Sequence, residues 1–131
     1  MRTKLRTLLL SALVLFPVQA VWGEAKPETL PHAFDAGWEG RQTCEVLFED
    51  DNQRIARCVF PPGIGHEKHY HNPHWGYVLE GSTLRIVDDK GERTVTTGTG
   101  GSWSTDTVTV HESLNFGESN TSYLLVERKA E

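Results

Sequence analysis

Residues 61–81 have the sequence PPGIGHEKHYHNPHWGYVLEG, and four of the chain's six histidines fall within nine residues of this stretch. His69 and His71 stand at positions i and i+2, so on a β-strand both imidazoles project from the same face. His74 follows an Asn-Pro turn, which can direct a third imidazole towards the same point. The stretch therefore predicts a metal site with a further ligand supplied from elsewhere in the chain.

The candidate for that ligand is His111, which lies eleven residues after Gly100 and four residues before Asn115. Together the two groups of residues resemble the two motifs of the cupin superfamily, in the order that the family has them. The second cupin motif is Gly, five residues, Pro, any residue, Gly, two residues, His, three residues, Asn. In this chain Asp106 and Val108 stand in place of the proline and the second glycine.

The first cupin motif is Gly, five residues, His-x-His, three or four residues, Glu, six residues, Gly. Gly63 and Gly81 begin and end the matching stretch, and His69 and His71 form the His-x-His pair. Counting back from Gly81 puts His74 where the family usually has glutamate, and the spacer before it is one residue short. The resemblance implies a double-stranded β-helix, or jelly-roll, barrel with a metal ion bound inside it.

Short segments rich in β-branched and aromatic residues, separated by turn residues, predict strands along most of the chain. No segment has a helical repeat of apolar residues. Many short strands without helices are typical of a β-sandwich or barrel, so this pattern and the cupin motifs together predict one all-β jelly-roll domain. The predicted strands are residues 43–49, 53–60, 68–71, 75–80, 83–88, 92–97, 105–112 and 123–128.

The two ends of the domain are set by a change in composition. A secretory signal peptide is predicted over residues 1–23, where basic residues precede a short apolar run. Residues 24–40 are rich in Pro, Gly and charge, and we expect an extended arm that lies over its own barrel or crosses to a partner subunit. Residues 41–131 form the predicted barrel. The protein is therefore expected in the periplasm or outside the cell, with no stable membrane insertion after signal cleavage.

The net charge argues against two classes of partner. It is −5 for the whole chain and becomes −8 without residues 1–23, which carry three positive charges and no negative ones. A surface of this charge repels nucleic acid and anionic lipid. The expected partner is a small molecule, and the cupin resemblance also implies a homodimer.

Cys44 and Cys58 are the only cysteines, and export would place them in oxidising conditions. They lie on two predicted strands joined by the polar turn at residues 50–52. A three-residue loop there places Cys44 directly opposite Cys58. We therefore predict a cross-strand disulfide; the alternative is a pair of small buried hydrophobic side chains.

An all-histidine site has consequences for the metal. His69, His71, His74 and His111 are neutral ligands, so a bound divalent ion keeps its full charge. Imidazole favours Zn, Fe, Cu or Ni over Mn, and we expect one such ion per chain. His74 is predicted either to be a fourth ligand or to orient an incoming molecule. His66 is expected to be exposed to solvent, and His32 carries no functional pattern.

Other residues around the motifs could take part in chemistry or binding. Trp75, Tyr77 and Trp103 are predicted to line the mouth of a substrate pocket, although filling the barrel is the equally simple interpretation. Asn115 is interpreted as a structural hydrogen-bonding residue. The catalytic residue is not assigned. Besides metal-bound hydroxide, the sequence offers four side chains as candidates for proton transfer without choosing among them, which are Glu67, Tyr70, Asp106 and Glu112.

The function that these patterns favour is an exported, metal-binding cupin that binds a small anionic or oxygen-rich molecule. Whether it also transforms that molecule, as a dioxygenase, isomerase or lyase would, stays open, because one fold hosts many activities. One alternative is a non-catalytic module that binds or senses a metal or a small ligand. Another is a structural domain whose histidines hold no metal. Open coordination positions would favour the enzyme, and four tight protein ligands would favour the binding module.

Overall fold

The computed structural model describes residue 27 and residues 29–129. The predicted signal peptide at residues 1–23 therefore lies outside the described residues, as does the beginning of the predicted arm. The described residues form strands and turns only. None of them belongs to a helix long and apolar enough to cross a membrane.

Eleven strands follow one another in the described part of the chain. They are β1 (Gly37–Trp38), β2 (Arg41–Gln42), β3 (Cys44–Glu49), β4 (Gln53–Phe60), β5 (Gly65–His71), β6 (His74–Glu80), β7 (Thr83–Asp88), β8 (Gly91–Thr96), β9 (Ser102–Thr105), β10 (Thr109–Asn115) and β11 (Thr121–Arg128).

The strands are arranged in two main sheets and one small ribbon. One sheet has four strands in the order β5-β10-β7-β8, and the other has five in the order β3-β4-β11-β6-β9. Strands β1 and β2 form the ribbon, and all strand pairs are antiparallel. Neighbours that are distant in sequence, such as β4 and β11, give the crossed connections of a jelly roll.

The predicted all-β jelly-roll fold is confirmed, and most predicted strands lie within a few residues of the observed ones. The main difference is the predicted strand at residues 105–112, which is two strands, β9 and β10. Thr107 interrupts it, because its backbone N–H is bonded to the Thr105 hydroxyl at 3.3 Å, in a local turn. The ribbon β1-β2 was not predicted, since its strands are two residues long.

The core is small and lies between the two sheets. Phe60, Val78, Tyr123 and Leu125 of the five-stranded sheet are buried against Leu84 of β7. Along β11 the buried positions are 121, 122, 123, 125 and 127, and from 123 onwards they follow the alternation expected of a strand with one face inwards. The inward position at Glu127 is thus a carboxylate in an otherwise apolar row.

The hairpin of β3 and β4 has the predicted pairing of Cys44 with Cys58, and the two residues form a disulfide. The turn itself is shorter than predicted. Asp50 N bonds to Gln53 O at 3.1 Å, so only two residues lie between the paired positions. A register shift between Val46 and Phe48 compensates for the missing residue and restores the predicted register at the cysteines.

The described part of the arm lies over its own barrel. His32 and Tyr70 form an isolated parallel bridge, with Ala33 N donating to Tyr70 O at 2.8 Å and Tyr70 N donating to Pro31 O at 3.1 Å. Phe34 is 1% exposed and belongs to the core. The arm is therefore joined by backbone hydrogen bonds to β5, the strand that carries His69 and His71.

Candidate metal centre

Three histidines converge because of strand register. His69 and His71 project from the same face of β5, and His111 of β10 lies directly opposite His69 in the β5–β10 pairing. The ring centroid of His111 is 4.6 Å from that of His69 and 5.1 Å from that of His71. One ligand atom of each residue lies within 4.8 Å of the others, as required of three ligands to one ion.

The hydrogen bonds of two of these rings fix which nitrogen faces the centre. His69 donates from Nδ1 to the Glu67 carbonyl oxygen at 2.6 Å, and His71 donates from Nδ1 to the carboxylate of Glu127. Each neutral ring then has a lone pair on Nε2. These two Nε2 atoms are 2.9 Å apart, so two lone pairs face each other. A cation between them removes this repulsion, which is why the donor set fits a divalent metal ion.

Burial keeps His69 and His111 neutral. It lowers the pKa of His111 to about 3 and also lowers the pKa of His69, and in both cases the neighbouring histidines lower it further. Metal binding requires unprotonated imidazole, so this environment suits ligation at neutral pH.

His74 does not join this group of three. Its ligand atoms lie within 4.8 Å of those of His71 and Glu127 instead. The His74 ring donates from Nδ1 to the Asn72 carbonyl oxygen at 2.8 Å, and its Nε2 accepts from the Trp103 indole N–H at 3.3 Å. The structure thus places His74 beside the three converging histidines, on the opposite sheet.

Sequence reasoning missed Glu127, which is 1% exposed and bonded to His71. Burial raises the pKa of the Glu127 carboxyl, but hydrogen bonds from His32 and His71 outweigh this and lower the pKa to about 2. The carboxylate is therefore ionised at neutral pH. The available pattern was a charged residue within the last described strand, but each face of β11 carries apolar side chains, so the sequence did not show which face is directed inwards.

Two further histidines lie where the sequence did not predict them. His66 is 3% exposed rather than solvent-exposed. The pairing of β5 with β10 shifts between His69 and His66, and this bulge turns both rings inwards, with their centroids 3.9 Å apart. His32 of the arm, to which no role was assigned, is bonded to Glu127 at 2.7 Å.

A cavity of about 1050 Å³ opens next to the histidines. His71, His74 and His111 are part of its wall, as is Trp103. The predicted pocket role of Trp75 and Tyr77 is corrected: they alternate with the inward residues of β6, so they lie on its outer face, stacked on each other with ring centroids 5.9 Å apart.

The four candidates for proton transfer are likewise absent from the described cavity wall. Glu67 is exposed and accepts a hydrogen bond from Glu39 N at 2.8 Å, and Asp106 is exposed as well. Tyr70 packs edge-on against His32 of the arm, with ring centroids 5.3 Å apart. The titratable groups that lie beside the three histidines are instead His66, His74 and Glu127.

Comparisons with known proteins agree with this architecture. A cupin domain from Bordetella pertussis has a TM-score of 0.62 at 19% identity, covering 66% of this chain and 92% of that one. The polyketide cyclase RemF from Streptomyces resistomycificus has a TM-score of 0.55 at 21% identity, covering 88% and 80%. A sugar phosphate isomerase of the cupin superfamily from Silicibacter pomeroyi has a TM-score of 0.54 at 20% identity, covering 78% and 68%.

Neither a comparison with models of protein families nor one with curated proteins finds a match. The likeness to solved structures therefore defines the fold. The chain has the fold of the cupin superfamily, as the two sequence motifs predicted.

Proposed function

We propose that this protein is an exported, metal-dependent enzyme that holds one divalent ion on His69, His71 and His111 and transforms a small molecule in the adjoining cavity. The observation that carries the proposal is the pair of Nε2 lone pairs, on His69 and His71, which face each other at 2.9 Å with His111 beside them. Three protein ligands beside a cavity leave coordination positions open, as in catalytic rather than structural metal sites.

The bound ion would supply Lewis acidity, polarising an oxygen atom of the substrate. His74 is a neutral imidazole in the cavity wall, with its Nδ1–H bonded to a backbone carbonyl and its Nε2 lone pair facing Trp103. Burial lowers the pKa of His74, which keeps that lone pair available. We therefore assign His74 the role of accepting a proton from the substrate once the substrate has displaced the Trp103 N–H from Nε2; in the free protein, Trp103 orients the His74 ring.

The cavity wall indicates the class of substrate. Much of it is aliphatic, including Leu84, Ile86, Val108 and Val110. Its rim carries three cations and two carboxylates: Lys68 and Lys90, neither of which forms an ion pair among the described residues, Arg93, which is paired with Asp88, and Asp89. This combination fits a molecule with an apolar body and one anionic group, in preference to a sugar covered with hydroxyl groups.

The test is elemental analysis of the mature protein, purified from the exported fraction without chelator or nickel resin. The matched variants are His111→Ala, which removes a proposed ligand, and Ser113→Ala, which alters a buried residue of the same strand outside the centre. We expect near-stoichiometric metal in the wild type and in Ser113→Ala, and little in His111→Ala. An unaltered metal content in His111→Ala, or no metal in the wild type after reloading, would refute the centre.

The substrate class is tested by thermal shift of the metal-loaded protein with aromatic carboxylates, medium-chain fatty acids and sugar phosphates. We expect the first two to raise the unfolding temperature and the sugar phosphates to leave it unchanged. Binding of the probes without turnover of any aromatic or fatty carboxylate would favour the non-catalytic binding module instead.

Export and pairing with a second copy are part of the proposal. The disulfide of Cys44 with Cys58 suits an oxidising compartment. Strand β3 is at the edge of its sheet in the described part of the chain, and Val46, Leu47 and Phe48 there are 39%, 51% and 48% exposed. An apolar edge strand pairs readily with its own copy about a two-fold axis, which would cover these side chains.

A further inference from the structure

Glu127 is held by three hydrogen-bond donors from two parts of the chain, the arm and the end of β5. His71 donates from Nδ1 to Oε1, whereas His32 donates from Nε2 to Oε2 at 2.7 Å and Asn72 donates its backbone N–H to Oε2 at 3.2 Å. The carboxylate is 1% exposed, so these donors replace the water that it would have in solution. A buried carboxylate keeps its position only when its partners are in place.

The partners of His32 determine its tautomer. Its Nδ1 accepts the backbone N–H of Phe34 at 3.1 Å and lies 3.2 Å from a guanidinium nitrogen of Arg54, which can only donate. Nδ1 therefore carries the lone pair, and the proton is on Nε2, facing Glu127. His32 is thus a fixed donor to the carboxylate, and 95 positions separate the two residues in the sequence.

Backbone hydrogen bonds join the arm, which carries His32, to β5, the strand that carries two of the candidate ligands. The arm is bonded to Tyr70, which stands between His69 and His71 on β5. His32 and His71 consequently donate to different oxygens of the same carboxylate, Oε2 and Oε1. A continuous row of hydrogen bonds runs from Arg54 through His32 and Glu127 to His71.

We propose that His32 is a positioning residue for the metal centre: through Glu127 it holds the His71 ring with Nε2 turned towards His69 and His111, so that metal affinity depends on the N-terminal arm. This inference rests on the proposed metal centre. It assigns Glu127 to the orientation of His71 rather than to direct ligation, because three donors already occupy its two oxygens. Partners of this kind typically change metal affinity tenfold to a hundredfold when they are removed.

The experiment measures the affinity of the metal-stripped protein for Co²⁺ by competition with a chelating dye, and records the visible spectrum of the Co²⁺ form. His32→Leu removes the donor, and His32→Gln restores an amide N–H near the position of Nε2. Phe34→Leu is the matched control, because it weakens the packing of the arm and leaves the His32–Glu127 bond in place. Unfolding temperatures are measured for all variants without metal.

We expect His32→Leu to bind Co²⁺ about tenfold to a hundredfold more weakly with an altered spectrum, and His32→Gln to regain most of the affinity. Phe34→Leu should lose thermal stability and keep wild-type affinity. Should His32→Leu not fold, His32→Gln is compared with His32→Asn, whose shorter amide does not reach Glu127, and only the asparagine variant should bind weakly.

Three results would overturn the inference. The first is wild-type Co²⁺ affinity in His32→Leu, and the second is equal affinity in His32→Gln and His32→Asn. The third is a loss of affinity in Phe34→Leu as large as that in His32→Leu, which would mean that affinity depends on the packing of the arm in general. In each of these the wild type still binds Co²⁺, so the proposed function stands. Failure of the wild type to bind Co²⁺ instead removes the centre itself, and the inference with it.

Discussion

The indole ring of Trp103 lies directly over Gly76, its partner in the pairing of β6 with β9. A Cβ atom added at Gly76 would overlap the six-membered part of this ring. The glycine thus provides the space that lets Trp103 reach into the barrel, where its N–H meets His74 and its ring meets Tyr123 edge-on at 5.4 Å.

Gly76→Ala should therefore destabilise the fold by about 1–3 kcal/mol, because the added methyl group overpacks the space under Trp103. Urea unfolding gives the free energy, and tryptophan fluorescence shows whether an indole has moved. Gly98→Ala is the control, since a Cβ there meets nothing within 4 Å. Adding Trp103→Leu should make the Gly76 substitution nearly neutral; equal costs with and without Trp103 would contradict the packing argument.

The metal-free protein should lose stability as the pH falls below about 6.5, the usual value for histidine. Burial, assisted by the charge of His71, lowers the pKa of His66 to about 4 in the folded chain. The unfolded chain therefore binds more protons between these values, and at pH 5.5 His66 alone costs about 1.4 kcal/mol. His69 and His111 act in the same direction, and the lowered pKa of Glu127 adds a further loss below about 4.5.

This pH dependence is measured as the urea midpoint of the metal-stripped protein between pH 7.5 and 5. His66→Leu should show a flatter profile, because one titrating group has been removed. A midpoint that stays constant over this range would mean that the buried histidines have the same pKa in the folded and the unfolded chain, and would contradict the prediction.

Asn115 is a structural residue, as the sequence predicted. It is fully buried, and its side-chain amide donates to the carbonyl oxygens of Phe60 and Ser119 at 2.7 and 2.8 Å. Its Oδ1 accepts from the Ser82 hydroxyl and from Gly117 N. Asn115→Asp should cost more than about 2 kcal/mol at pH 7, because a carboxylate cannot donate to two buried carbonyls.

Thermal unfolding of Asn115→Asp is compared with that of Asn120→Asp, an exposed site where the same chemical change should have little effect. The metal content of Asn115→Asp should match the wild type in the folded fraction. Equal unfolding temperatures for the two variants would show that the buried amide is dispensable.

The proposed homodimer is tested by light scattering on Leu47→Lys, which places a charge on the apolar edge of β3. We expect the wild type to have the mass of two chains and the variant that of one, because an ammonium group cannot be buried against its own copy. Thr94→Lys on β8, the edge strand of the other sheet, is the control and should stay dimeric. A monomeric wild type would refute the pairing.

The fold could be predicted because its determinants are local. Glycines, turns and β-branched runs mark most strands, and the His-x-His pair on one strand needs only alternation to bring two imidazoles to one face. The role of His111 could be predicted only from the spacing of the second cupin motif. The structure adds the reason, which is its register opposite His69.

The residues that were missed all depend on contacts between distant segments. Glu127 and His32 meet only when the first and last described parts of the chain pack together. His66 turns inwards because of a bulge, and an extra residue in one strand leaves no clear mark on the alternation. The predicted pairing of Cys44 with Cys58 is correct although the predicted turn was one residue too long, because a bulge near Leu47 offsets the shorter turn.

The place of Glu127 in the final strand also bears on when the centre can be completed. During synthesis, His69, His71 and His111 are all made before β11, whereas the Glu127 carboxylate that we propose to orient His71 is in place only after β11 has joined the sheet. On this proposal, high-affinity loading follows the synthesis and pairing of β11. If the chain is exported unfolded, the ion that it acquires is chosen by the metal supply of the compartment where it folds, not by that of the cytoplasm.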